Sequence, residues 1–304
     1  MIDAKILSAT TFVYFAAFAF YLLRMVSSRE FWGRLGSLTA LTGLAAQTAA
    51  LALRWIASYQ MGIGHAPLSN LYESLIFFSW SITAVYLFFE WRTQDKSLGA
   101  FVIPAAFLFM AYASLSPHID SRIQPLIPAL QSNWLVSHVV TCFLGYAAFT
   151  VAFAAGLMML LKGYLDRAGK NSRPDGAAAG AKNGCNLGTP LEYSIPARFI
   201  ALIPAPAVLD DLIYQCVVLG FVFLAIGIMT GSIWAHYAWG SYWSWDPKET
   251  WSLVTWLVYA IMLHLRYIRG WRERPMAVMA VIGFICVLIT YLGVNLLPGL
   301  HTYQ

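Results

Sequence analysis

Five tryptophans fall within eighteen residues of this chain, in W-A-H-Y-A-W-G-S-Y-W-S-W-D-P-K-E-T-W at 234–251: Trp234, Trp239, Trp243, Trp245 and Trp251. One or two such residues beside an apolar run mark a membrane interface, where an amphipathic indole sits well. Five on one short segment, interleaved with Gly240, Ser241 and Tyr242, exceed what an interfacial belt needs. That density suits stacking on a flat, apolar ligand, with indole N–H groups available to its polar edge. Asp246-Pro247-Lys248-Glu249 then reads as an N-cap, a first-turn proline and a carboxylate three residues on, a pattern that starts a helix. Asp246 is expected to cap that helix. By fixing the angle at which the aromatic segment meets it, Asp246 also joins the candidate ligand-binding residues.

The chain holds six histidines, His65, His118, His138, His236, His264 and His301. An imidazole is costly in lipid and usually marks function there. His138, in W-L-V-S-H-V, and His301, in L-P-G-L-H-T-Y, each lie at one end of an apolar run. Two neutral imidazoles from different elements, facing across a flat ring, form the usual axial pair of six-coordinate haem iron. Either residue alone reads equally well as an interfacial histidine; beside the tryptophans, the pair points to iron ligation. His264 admits two readings. Seventeen residues beyond Pro247, it falls roughly 25 Å along a helix from the aromatic segment. It is either an interfacial residue beside Arg266 and Arg269, or a ligand of a second haem whose other ligand comes from a partner. A third stretch, G-H-A-P-L-S-N-L-Y-E-S-L-I-F-F-S-W at 64–80, offers Ser69 or Asn70 as a cap and Glu73 in a first turn, all with structural roles.

These residues need elements to carry them. Hydrophobic types make up 60% of the 304 residues and charged types 11%, with a mean hydropathy of +0.65. Soluble domains run near 25% charged, so lipid is the main solvent. About 20 apolar residues cross a bilayer. Eight runs qualify, near 6–26, 35–57, 71–90, 98–115, 134–161, 212–233, 247–267 and 276–297. They predict an all-α, polytopic transmembrane helical bundle, one membrane-embedded domain over 1–304. Fifteen of the nineteen Lys and Arg residues follow the first, third, fifth and seventh runs. The positive-inside rule therefore puts both termini outside, Lys5 being a mild dissent. His138, His301 and the 234–251 segment then meet at the outer face. The first run reads as a retained anchor rather than a cleaved signal. The Gly/Ala-rich polar stretch within 162–211 reads as a cytoplasmic linker, with a short interfacial segment at its end. Cys142, Cys185, Cys216 and Cys286 form no C-x-x-C pair and read as packing residues; there is no C-x-x-C-H. The basic residues lie between apolar runs rather than on one face, which argues against nucleic acid as a partner.

W-G-S-Y-W-S-W-D-P-K-E-T-W resembles the tryptophan-rich WWD signature of haem-handling proteins. With G-H-A-P-L-S-N-L-Y-E-S-L and the ending G-L-H-T-Y, the chain is similar to the CcsA/ResC family of system II cytochrome c biogenesis, over all but the 162–190 region. The resemblance implies a haem-delivery subunit of a cytochrome c synthase. With a CcsB/ResB-type membrane partner it moves haem b outward and presents it to the C-x-x-C-H motif of apocytochrome c, with thiol-reducing thioredoxin-like proteins as further partners. It implies His138 and His301 as outer axial ligands and His264 as one ligand of a transmembrane haem completed by CcsB. No ligand role carries over to His65, His118 or His236. The expected location is the bacterial inner membrane, or the thylakoid membrane in a plastid or cyanobacterium, with the tryptophan segment on the outer face. The alternative is a system I, CcmC-like export or chaperone component that passes haem on without forming the bond. A b-type electron-transfer subunit is disfavoured, since it expects histidine pairs at membrane depth within one chain.

Overall fold

The computed structural model describes residues 2–117, 119–125, 131–171 and 200–293. All regular structure among them is helical. Eight long helices follow in order: α1 (Ile2–Ser27), α2 (Glu30–Gln60), α3 (Leu71–Thr93), α4 (Gly99–Leu115), α5 (Asn133–Asn171), α6 (Pro206–Trp239), α7 (Pro247–Arg269) and α8 (Arg274–Tyr291). Seven are long and apolar enough to cross a bilayer, and α4 is the short one. This is the polytopic bundle expected, because a helix satisfies its own backbone where no water can. The chain is an integral membrane protein. The expected run to 297 is described as far as Gly293, and His118, Cys185 and His301 lie outside the described residues.

Two groups of helices share one core. Helix α1 packs on α2 and α4, and α3 on α4; α5 packs along α6 and against α8, with α7 on α8. The contact between α3 and α5 joins the groups. Lipid tails are as apolar as leucine, so association rests on close packing and internal polar contacts. The α5–α6 seam shows the first device: Gly220 lies under the Phe149 ring and next to Gly145, while Gly227 and Gly231 lie under Cys142 and His138.

Buried charge supplies the second. Arg54 is 2% exposed, donates to Glu73 at 2.7 Å and Asp3 at 3.2 Å, and lies over the Tyr72 ring. That set ties together α1, α2 and α3. At the other end of the bundle, Arg266 of α7 reaches Asp210 (2.7 Å) and Asp211 (3.3 Å) of α6, while Asp210 also accepts from the Glu273 amide. Buried pairs add little net stability by themselves, but removing one partner strands a charge at about 3–5 kcal/mol. The Glu90 carboxylate accepts from Tyr21, Tyr86 and Ser37.

Two boundaries differ from the sequence expectation. Helix α5 continues to Asn171, and α6 begins at Pro206, so both ends of the 162–211 stretch are helical. Propagation adds a hydrogen bond per residue once a helix exists, which carries α5 past its apolar part. Lys162 closes the connection from that extension, donating to the carbonyls of Ile203 (2.7 Å) and Pro204 (3.0 Å). Residues 172–199 lie outside the described residues.

Candidate functional site

The connections after α2 and α6 meet the ends of α5, α7 and α8 at one end of the bundle, and a cavity lies among them. Its wall includes His138, Cys142 and Tyr146 from α5, Trp234 and Trp239 from α6, Trp243 from the loop, and Lys248 and Glu249 from α7. Leu68, Ser69, Thr290 and Tyr291 complete it from α8 and the segment before α3.

His138 is placed by the glycine seam. Its Nδ1 lies 2.7 Å from the Gly227 carbonyl across the helix pair. A carbonyl can only accept, so Nδ1 carries the proton and Nε2 carries the lone pair that a metal takes. The ring lies nearly parallel to Trp234, 6.4 Å away at 14°. Trp234 meets Trp239 edge-on at 4.9 Å. The half-buried imidazole therefore shares the cavity with indoles.

The tryptophan segment is only partly a loop. Trp234 and Trp239 belong to the last turns of α6, which ends at Gly240 in the left-handed conformation (φ 78°). Irregular chain spans 240–246 alone. Trp243 lines the cavity, and its Nε1–H is buried without a hydrogen-bond partner among the described residues. Trp245 instead projects outward, 69% exposed, edge-on to Trp243 at 5.8 Å. Its φ of 57° is rare for a bulky residue and carries backbone strain. Trp251 is half-buried on α7, where its carbonyl accepts from Thr290; it is not part of the described cavity wall.

Asp246 is the N-cap expected. It accepts from the Lys248 amide at 3.1 Å, and Glu249 reaches back to the Asp246 amide at 3.3 Å, completing a capping box. Glu249 also accepts from the amide (2.7 Å) and hydroxyl of Ser244. One carboxylate thus holds both the aromatic loop and the helix start. Asn70 caps α3, accepting from the Glu73 amide at 2.8 Å.

The other histidines separate. His264 is exposed on α7, on the same outward side as Leu257, Ile261 and Ile268 and away from the cavity. His236 is exposed and stacks on Tyr242 at 4.2 Å. His65 is buried, its ring nitrogens 2.8 Å from the Ala66 carbonyl and 3.0 Å from that of Gln124, so it bridges two connections beside the cavity. Asp120 orders the second of these connections. The Arg122 amide and then the Gln124 side chain donate to its carboxyl and hold it below the ordinary carboxylate range.

Sequence reasoning did not find Cys142, Tyr146, Thr290 and Tyr291 as wall residues, since each reads as an ordinary apolar-run residue. Leu68 and Ser69 stood in a stretch singled out for capping alone. No group of three or more His, Cys, Asp or Glu side chains able to hold a metal ion exists among the described residues.

Residues 68–301 match the model of the cytochrome c assembly protein family. The chain is 40% identical over 289 residues to the cytochrome c biogenesis protein CcsA of Pyropia yezoensis, covering 89% of this chain and 87% of that protein. It is 37% identical over 323 residues to the CcsA of Microcystis aeruginosa, covering 98% and 94%. Among solved structures it is similar to the cytochrome c haem lyase CcmF, with a TM-score of 0.64 at 15% identity. That alignment covers 95% of this chain and 45% of the other, and the likeness is one of fold. A bundle whose α5–α6 seam sets a histidine among tryptophans, with relatives this similar over most of their length, belongs to the CcsA family of cytochrome c assembly proteins.

Proposed function

We propose that this chain is the haem-presenting subunit of a system II cytochrome c synthase. One observation carries the reading: His138 is held in the tautomer that offers Nε2, at the wall of a cavity lined by Trp234, Trp239 and Trp243. The donor set fits haem b as the substrate: an imidazole for iron, indole faces for the ring and buried N–H groups for its polar edge. His301 would supply the second axial bond, and the chain ending that carries it follows α8, whose Thr290 and Tyr291 already line the cavity. Trp245 and Trp251 would extend the aromatic surface, and Asp246 would hold its angle.

The chemistry asked of these residues is proximity and orientation. The cysteine thiols of apocytochrome c add across the haem vinyl groups, each forming one C–S bond while its proton ends on the other vinyl carbon. Holding the ring by its iron and one face leaves an edge for the thiols. The histidine of the C-x-x-C-H motif then replaces one outer ligand. His264, exposed on α7, suits a second haem shared with a CcsB/ResB-type partner. Thioredoxin-like proteins would keep the substrate thiols reduced. The cavity end faces the periplasm or thylakoid lumen, and the stretch between α5 and α6 faces the cytoplasmic side.

The test is the spectrum of the complex purified with its membrane partner. It is expected to show haem of b type, extractable into acidified organic solvent because nothing binds it covalently. A folded, partner-bound preparation without haem absorbance would refute the proposal.

A further inference from the structure

The part of the cavity wall formed by Leu68 and Ser69 is open on two sides. Both residues are half-buried, and with Leu135 they also line a second, neighbouring hollow of about 470 Å³. A partition between two open spaces has few side chains packed against it, so packing alone fixes its place poorly. Polar ties hold it instead. Glu73, fully buried in the first turn of α3, accepts through Oε2 from the Ser69 amide (2.8 Å) and the Ser69 hydroxyl (2.6 Å). Its Oε1 accepts from Arg54 Nε of α2 at 2.7 Å, and Arg54 Nη1 donates to Asp3 of α1 at 3.2 Å. One turn further along α2, Ser58 accepts from the His65 amide at 3.0 Å and holds the other end of the same segment.

A carboxylate engaged through both oxygens cannot turn without breaking bonds on both sides. Glu73 therefore passes the position of the Arg54 guanidinium on to Ser69, through charge-assisted bonds that are about twice as strong as neutral ones. Arg54 itself is not among the described lining residues of the cavity. We infer that Arg54 is a positioning residue of the site: through Glu73 it sets where the Leu68–Ser69 partition stands, and so how closely a tetrapyrrole fits the cavity. The inference rests on the haem-presenting reading. It gives α1 and α2, which precede the residues 68–301 matched to the family, a part in shaping the site.

Haem is titrated into the full chain with its membrane partner, and the outer haem is read as the Soret absorbance that His138→Ala removes. Ser69→Ala deletes one donor to Glu73 and should weaken outer haem about two- to tenfold, the scale of one hydrogen bond. Asp3→Asn/Arg54→Met/Glu73→Met neutralises the cluster as a whole, which leaves no charge stranded and often preserves stability. It should weaken outer haem at least as much. Adding Ser69→Ala to it should bring no further loss, because the hydroxyl has already lost its acceptor. Should the neutral variant fail to assemble with the partner, Arg54→Lys replaces it, a single ammonium facing two carboxylates. Ser69→Ala should then weaken haem less in Arg54→Lys than in the natural chain.

Glu90→Gln is the control. It loosens the same three helices where Tyr21, Ser37 and Tyr86 meet, seventeen residues or roughly 25 Å along α3 from Glu73. Its thermal unfolding temperature should fall while its outer haem matches the natural chain. Natural haem affinity in Ser69→Ala or in the neutral variant overturns the inference. So does an undiminished effect of Ser69→Ala in the neutral or Arg54→Lys background, or a loss of outer haem in Glu90→Gln, since haem would then follow stability alone. In each of these cases the natural chain still binds haem and the haem-presenting reading stands. Absence of haem from the natural, partner-bound chain would overturn both.

Discussion

His138 is a candidate iron ligand because of what its other nitrogen does. With Nδ1 bonded to the Gly227 carbonyl, the ring cannot rotate without losing that bond, and Nε2 stays the basic atom. His138→Ala removes one iron bond and leaves the aromatic wall, so it should weaken the haem signal and cytochrome maturation. Added imidazole should restore part of both, because a free ring can fill the vacant axial position. Trp243→Ala should lose haem with no rescue, since stacking area and a donor have gone rather than a ligand. His236→Ala is the control. It sits three residues from Trp239 but is exposed, stacks on Tyr242 and is not part of the described cavity wall, and should match the natural chain. Maturation assays with and without imidazole across the three variants check this; a rescuable His236→Ala beside a normal His138→Ala would invert the assignment.

At the scale of elements, the site depends on how closely α5 and α6 approach. A Cβ on Gly231 would stand 2.5 Å from His138 Nδ1, nearer than real contacts allow. Gly231→Ala should therefore push the imidazole aside and mimic the haem loss of His138→Ala, although position 231 itself holds no ligand. Gly163→Ala, on the same α5 where a Cβ meets nothing within 4 Å, should retain haem and gain about 0.5–1 kcal/mol of helix stability. Haem content and thermal unfolding of the two variants distinguish a packing constraint from a general intolerance of added methyls. The start of α7 is the other positioning device. Its capping box anchors the loop that carries Trp243, so the angle of the indole is set by backbone rather than by a mobile side chain.

For the whole molecule, the charge pattern and the bundle agree on two dissimilar ends. Connections after α1, α3, α5 and α7 carry most of the basic residues, while those after α2 and α6 contribute to the cavity wall. On the positive-inside rule we propose that the cavity faces outward. Single cysteines at Tyr237 and Arg272, both exposed, test it in a background with Cys185 and Cys286 replaced by serine. A membrane-impermeant thiol reagent should label Tyr237→Cys in intact cells and Arg272→Cys only after permeabilisation. The reverse pattern would turn the protein over and move haem presentation to the other face.

The sequence by itself determined the all-helical membrane bundle, because apolar runs of spanning length have one way to satisfy their backbone in lipid. It also determined the local starts at Asn70 and Asp246, since a cap and its partner lie within four residues of each other. Which tryptophans line the cavity was not legible there. Trp243 and Trp245 are two residues apart in one short loop, yet one lines the cavity and the other projects outward, because a left-handed φ at Trp245 turns the chain between them. Arg54 gave no local sign of its burial: its partners Asp3 and Glu73 come from other helices. The His138 tautomer likewise depends on a carbonyl eighty-nine residues away. Contacts of that span exist only once lipid-facing helices have packed through their glycines. Tertiary structure therefore decided which of the chemically suitable residues share one wall.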